Sequence, residues 1–367
     1  MGSEGRRASE LYGYVGLCAL WLLQIAVLTP TGAFPLNDDW LHSRTIFDYV
    51  TNGTWMYPAP LAAYNLVPIA YGITLSKVIG FSFTALRATN LTLGLLSSLV
   101  FYRLLRLYGT RPSLCLLATL LFWFNPLIFN LSYSFMGDIP ALFFLVAAWY
   151  CFEKGFADQN ALYILYASAL LLLGFFTRQV DLLLFAAVIP MVWKLRKHRR
   201  IVVAFLTPGA FGVAIWIVLN YLHIIPPAAS AHLGGWQRGF WPIYARTAWK
   251  YALQLSLYAS PLSVAILLKN FRTIQWRVVG AVAVILLAIT YLYPIDIFPS
   301  SDLISKYGLG VMLPVVQGIP PTWGPAIVYN AAMYLSAILL AFHCYLLYRV
   351  WRERKPKLLF TNVFFIL

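Results

Sequence analysis

The feature that most constrains this chain is its succession of long apolar runs. They fall at 11–29, 84–105, 113–131, 139–153, 161–176, 180–193, 201–222, 248–268, 277–293 and 326–348. About 20 apolar residues in a helix match the hydrocarbon thickness of a bilayer. Inside lipid every backbone N–H and C=O must be satisfied within the segment, which favours helices. The expectation is an all-α polytopic membrane protein with about ten transmembrane helices. The composition agrees, at 61% hydrophobic and 11% charged, where a soluble domain carries about a quarter charged residues. The whole chain, 1–367, reads as a single integral membrane domain.

The net charge of +15 does not indicate nucleic acid, because the positive charge of a membrane protein collects on its cytoplasmic loops. That rule decides how 61–80 is treated. Its length permits a crossing. If it does not cross, 19 of the 27 Lys and Arg residues fall inside, among them those at 103–111 and 194–200. If it does cross, every later loop changes side and the majority lies outside. The spacing of charge therefore predicts interfacial or re-entrant helices in the first external loop and both termini in the cytoplasm. The run at 11–29 is long for a signal peptide and suits an uncleaved first span. A short surface helix is expected over 40–50, ended by Asn52-Gly53-Thr54, with Asp48 in water. The runs near 161–193 form a hairpin whose tip carries Thr177-Arg178-Gln179-Val180-Asp181. Trp236, Trp241 and Trp323 in the outer loops suit interface anchors, or the walls of an acceptor groove. The apolar tail at 358–367 is too short to span.

Few residues are left to carry chemistry. Asp38 and Asp39 are adjacent in a chain with only twelve acidic residues, directly beyond the first span. Two neighbouring carboxylates repel and need water, a cation or a base beside them. One suits a general base while the other orients a substrate, or the pair holds a divalent metal. The plain alternative is a solvated loop. His42 follows four residues after Asp38 and suits an orienting His–Asp pair. Asp138, in Met136-Gly137-Asp138-Ile139-Pro140, is the sole charge between Arg111 and Glu153. It suits a helix N-cap as well as a site. Arg178 stands between apolar runs, where a charge usually faces an interior or a polar cavity. Its planar fork can grip two phosphate oxygens, or it pairs with Asp181 three residues on. Arg87 is a weaker case of the same kind. Cys18, Cys115, Cys151 and Cys344 lie inside apolar runs without paired spacing. The sequence carries no Gly-rich phosphate loop and no His/Cys metal spacing, which argues against a nucleotide-powered machine and leaves a divalent metal at the acidic pair as the one cofactor to consider.

In order along the chain these features form a pattern. The acidic pair is followed by Gly80-Phe81-Ser82-Phe83, then Leu86-Arg87, Asn125-Pro126-Leu127, Met136-Gly137-Asp138 and Phe176-Thr177-Arg178. This order resembles the C-type membrane glycosyltransferases, and within them the bacterial relatives of protein O-mannosyltransferases and aminoarabinose transferases. The resemblance spans about residues 10–200; the remainder, 201–367, is similar only in being helical. It implies transfer of a sugar from a polyprenyl-phosphate carrier to an acceptor hydroxyl at the outer face of a bacterial inner membrane. The donor would be a lipid-linked sugar, the acceptor a glycan, lipid or protein, and membrane lipid the surroundings. By position, Asp38 matches the family's catalytic base, Asp39 its acidic neighbour, Asp138 the second acid, and Arg178 a basic residue near the lipid phosphate. The pattern departs at Met56-Tyr57-Pro58-Ala59-Pro60, where relatives often carry Lys or His before a Pro-Pro pair. A transporter or flippase of lipid-linked glycans is the competing class. It would place ionisable residues near mid-membrane on repeated, broken helices, whereas these acids lie at span ends and no internal repeat is visible. A third reading is an inactive scaffold that binds lipid-linked glycans.

Overall fold

A computed structural model of the chain describes residues 3–32, 39–56, 64–222, 224, 245–246, 248–250, 252–253, 256–257, 272, 274–292, 304–305, 308–309 and 323–352. The protein divides into two compact units, Met1–Gly234 and Gly235–Leu367. The all-α polytopic expectation holds. Helices α1 (Ser3–Val27), α4 (Phe83–Leu107), α7 (Asp138–Ala157) and α10 (Arg199–Tyr221) are long and apolar enough to cross a membrane. Shorter apolar helices accompany them: α5 (Pro112–Trp123), α8 (Ala161–Phe175) and α9 (Leu182–Lys194).

Successive helices of the first unit alternate in direction, as a few polar clamps show. Glu10 near the start of α1 pairs with Arg106 near the end of α4 at 3.0 Å. Trp21 near the end of α1 donates to the Leu91 carbonyl near the start of α4, 3.0 Å away. Helix α5 runs back toward that second end, where Trp123 donates to Gln24. Helix α7 then returns, its Glu153 accepting from Tyr108 at 2.7 Å beside the end of α4. One end of the unit thus collects Arg103, Arg106, Arg111, Lys154 and the 194–200 turn. The other collects the starts of α4 and α7 and the α8–α9 turn.

The run at 113–131 is not one helix. It breaks at Asn125-Pro126, and α6 (Pro126–Ser132) restarts with proline in its first position. The ring disfavours helical backbone in the residue before it, yet tolerates the first helical turn, where its missing N–H is not needed.

The first loop contributes α2 (Asp39–Asn52) and α3 (Leu66–Ile79). Helix α2 ends at Gly53, whose φ of +69° suits glycine. Its Ile46 packs with Ile69 and Ile73 of α3, Leu86 of α4 and Phe135, while Trp40 and Phe47 are exposed. Asp48, expected in water, is mostly covered and pairs with Arg44 at 3.5 Å. The first half of helix α3 lies at one end of the unit. Just before it, the Asn65 N–H donates to the Thr177 carbonyl in the α8–α9 turn. In its middle, Tyr71 donates to Asn90 of α4 at 3.2 Å. Asn90 in turn donates to the carbonyls of Ser134 and Met136, directly before α7. Both contacts lie at one end of the unit. Helix α4 then opens cleanly: Ser82 caps it by accepting from the Ala85 N–H.

The second unit contains α11 (Trp276–Leu292), α12 (Trp323–Arg352) and a two-residue antiparallel pairing of Ile304–Ser305 with Gly308–Leu309. Its core groups Leu253, Met333, Ala337 and Leu340. Most of the outer-loop stretches 223–247 and 294–325, including Trp236 and Trp241, lie outside the described residues, as does the tail at 358–367.

Candidate active site

Two carboxylate–guanidinium pairs form at the end of the first unit where α4 and α7 begin. Asp39, the first residue of α2, meets Arg87 of α4, Oδ2 to Nη2 at 3.4 Å. Both side chains are buried, at 0% and 1% exposed. Arg87 also donates to the Gly32 carbonyl at 3.3 Å and lies over the Phe83 ring. A buried charge is tolerated when it is paired and hydrogen-bonded. Helix α2 is therefore anchored by its first residue. The pairing of Asp39 with Arg87 fits a structural tie. Asp38, Tyr57 and Pro58 lie outside the described residues.

The second pair is more open. Asp138 accepts from Arg178 Nη2 at 2.7 Å, with side chains 27% and 36% exposed. Two alternatives are thereby corrected. Asp138 does not cap α7; it is the first residue of that helix, and its carboxylate goes to Arg178. An acid in the first turn still suits the positive end of the helix dipole. Nor does Arg178 take Asp181 as its ion partner. The short 3-10 turn Gln179–Asp181 directs the Asp181 carboxylate inward against Gly174. Its Oδ2 is buried without a hydrogen-bond partner. Burial pushes the Asp181 carboxyl up to about 7, against the pull of the Arg178 charge. The Nε of Arg178 is also buried without a partner.

His42 joins this second group. Burial, and after it the charge of Arg178, holds its imidazole down at about 4. It is therefore neutral near pH 7, and the Asn65 amide nitrogen lies 2.8 Å from Nδ1 and 3.1 Å from Nε2. Asn65 is the residue that sequence reasoning missed. It takes a left-handed backbone, φ 44°, which Asn tolerates better than most side chains. A methyl group at Gly137 would run into its carboxamide, so glycine there lets α2, α3 and the start of α7 meet. Its neighbour Tyr64 accepts from Trp216 of α10 at 3.0 Å. The only sequence signal was a polar Tyr64-Asn65 pair entering an apolar stretch.

Beside this cluster an apolar cavity of about 180 Å³ lies between α8, α9 and α10. Leu172, Phe175, Leu182, Phe185, Val213 and Trp216 line it, with Gly209 and Gly212 leaving room on α10. Leu182 directly follows Asp181, and Phe175 precedes Arg178 by three residues. A partly open carboxylate–guanidinium pair thus lies within a few residues of the chain that lines an apolar slot, an arrangement suited to an amphiphile with an anionic head.

Residues 68–223 match the family model of dolichyl-phosphate-mannose-protein mannosyltransferase. This stretch is similar to the C-type membrane glycosyltransferases. The match supports a membrane glycosyltransferase of the kind that takes its sugar from a polyprenyl-phosphate carrier. It includes Arg87, Asp138 and Arg178 and begins after Asp38, Asp39 and His42. No curated protein and no solved structure matches the chain.

Proposed function

We propose that the chain transfers a sugar from a polyprenyl-phosphate donor to an acceptor hydroxyl, at the outer face of the membrane. The observation that carries this reading is the Asp138–Arg178 pair, partly open and adjoining an apolar cavity. Arg178 receives the donor phosphate; its side chain is 36% exposed, and a guanidinium suits phosphate oxygens. The cavity takes the first isoprenoid units. Asp138 holds the guanidinium in place before the donor arrives. The acceptor oxygen attacks the anomeric carbon, the bond from that carbon to the phosphate oxygen breaks, and the polyprenyl phosphate leaves with the electron pair. The acceptor proton goes to Asp38, which directly precedes the anchored start of α2. Arg178 then faces the growing charge on the leaving phosphate. The outward orientation is supported by the basic residues at the opposite end of the unit, because such an end belongs on the cytoplasmic side.

The test is transfer of radiolabelled sugar from a polyprenyl-phosphate donor, with donor binding measured in parallel. Asp38→Asn keeps shape but cannot take a proton, so turnover should fall by about 10²–10⁴-fold with donor binding largely intact. Arg178→Ala should weaken donor binding as well as turnover, since the phosphate is charged in the ground state too. Arg178→Lys should recover part of the loss, because the charge survives and the fork does not. Full activity in Asp38→Asn would reject the base, and unchanged donor binding in Arg178→Ala would reduce the arginine to a tie for Asp138.

A further inference from the structure

At the opposite end of the first unit, the α7–α8 and α9–α10 turns line an open cavity of about 610 Å³. Lys197, Arg199 and Arg200 line one side, with His198 among them, and Asn160 lines the other. The one acid in the lining, Asp158, is held by Lys154 at 2.9 Å. Lys197, Arg199 and Arg200 are exposed and make no ion pair among the described residues. Arg103 and Arg106 at the same end differ, since both reach Glu10. Arg199 and Arg200 also occupy the first turn of α10, where the helix dipole favours acids. Like charges therefore line a concave surface whose one carboxylate, Asp158, already pairs with Lys154. Local preferences broken in this way are expected at ligand sites. The positive-inside rule accounts for the sign of this turn, but not for a cavity lined by its cations.

We infer that this cavity binds the phosphate headgroup of an anionic phospholipid from the adjoining leaflet. Arginine forks suit phosphate oxygens, and basic pockets between membrane helices take such headgroups. The surroundings favour a lipid over a soluble anion. Leu162 lines the cavity and is exposed, and apolar exposure continues along α8 at Tyr166 and along α10 at Val203 and Leu206. These tracks give acyl chains a path into the bilayer. Trp193 is exposed with Arg196 stacked on its ring, centroid distance 4.7 Å, as an interfacial anchor would be. None of this depends on the transferase reading.

The full chain in neutral detergent is titrated with phosphatidylglycerol or phosphatidylcholine, and bound lipid is counted by native mass spectrometry. One phosphatidylglycerol should be retained in preference to phosphatidylcholine. Lys197→Gln/Arg199→Gln/Arg200→Gln should weaken that binding at least about tenfold, because each cation near an anionic lipid contributes severalfold. All three positions are exposed, so the packed core is untouched. Arg111→Gln/Lys194→Gln removes charge from the same end outside the cavity, and should stay within about twofold of the parent. Inorganic phosphate should not displace the lipid. Equal retention of both lipids, unchanged affinity in the triple variant, an equal loss in the control variant, or displacement by inorganic phosphate would each overturn the inference.

Discussion

At the scale of single residues, Asp181 and His42 respond to pH in opposite ways. Asp181 lies in the turn between α8 and α9, with its carboxyl pushed up to about 7 by burial. Between roughly pH 4 and 7 the folded chain keeps a proton that the unfolded chain has lost, so stability from this group declines as pH rises. His42 is held down at about 4. Between about 4 and 6.5 the unfolded state takes up a proton that the folded state refuses, so stability from this group rises with pH. Asp181→Asn mimics the protonated acid and isolates the first effect. The variant's unfolding temperature, relative to the parent's, should climb from pH 5 to pH 8. A constant difference across that range would show that Asp181 is not the group that titrates.

At the scale of elements, the placement of α2 depends on a contact far along the chain. Asp39 and Arg87 are 48 residues apart and both buried. Removing one partner leaves the other charge in a dry interior, which costs about 3–5 kcal/mol. Arg87→Met should therefore lower the unfolding temperature sharply. Asp39→Leu/Arg87→Met should recover most of the loss, because an apolar pair has no charge left to solvate. A double variant as unstable as the single one would mean that the ion pair is not what holds α2 against α4. The sequence had marked both residues as functional candidates. Their burial favours anchoring, and it leaves the neighbouring Asp38 as the acid proposed for chemistry.

At the scale of the whole first unit, the two ends differ in kind. One gathers acid–base pairs and the short helices α2 and α3; the other gathers cations. If α3 returns to the end from which it started, Thr51 and Val78 share a side of the membrane, and Thr110 and Lys197 share the opposite side. Single cysteines at these positions, in a chain without its native cysteines, report this with a membrane-impermeant maleimide. Thr51→Cys and Val78→Cys should react from outside, and Thr110→Cys and Lys197→Cys should not. Reaction of Thr110→Cys or Lys197→Cys from outside would invert the orientation and with it the proposed site face.

The class of this protein was legible from its sequence because that problem is local. A run of apolar residues in lipid must form helix whatever its neighbours are, and the charge of each flanking loop biases its side. The same reasoning argues against a crossing at 61–80, and the polar contacts of Asn65 and Tyr71 set the first half of α3 beside the starts of α4 and α7. Pairing among charges is a long-range matter. Arg178 has Asp181 three residues away and still bonds to Asp138, 40 residues back, because the turn at 179–181 aims the nearer carboxylate at Gly174. Asn65 had no motif to announce it, since its role comes from His42 and Gly137 being carried to it by α2 and α7. Spacing along the chain located the groups able to carry charge. Which of them are buried as ties and which stay open to a substrate was decided only when the helices packed, because burial belongs to the surroundings of a residue and not to its identity.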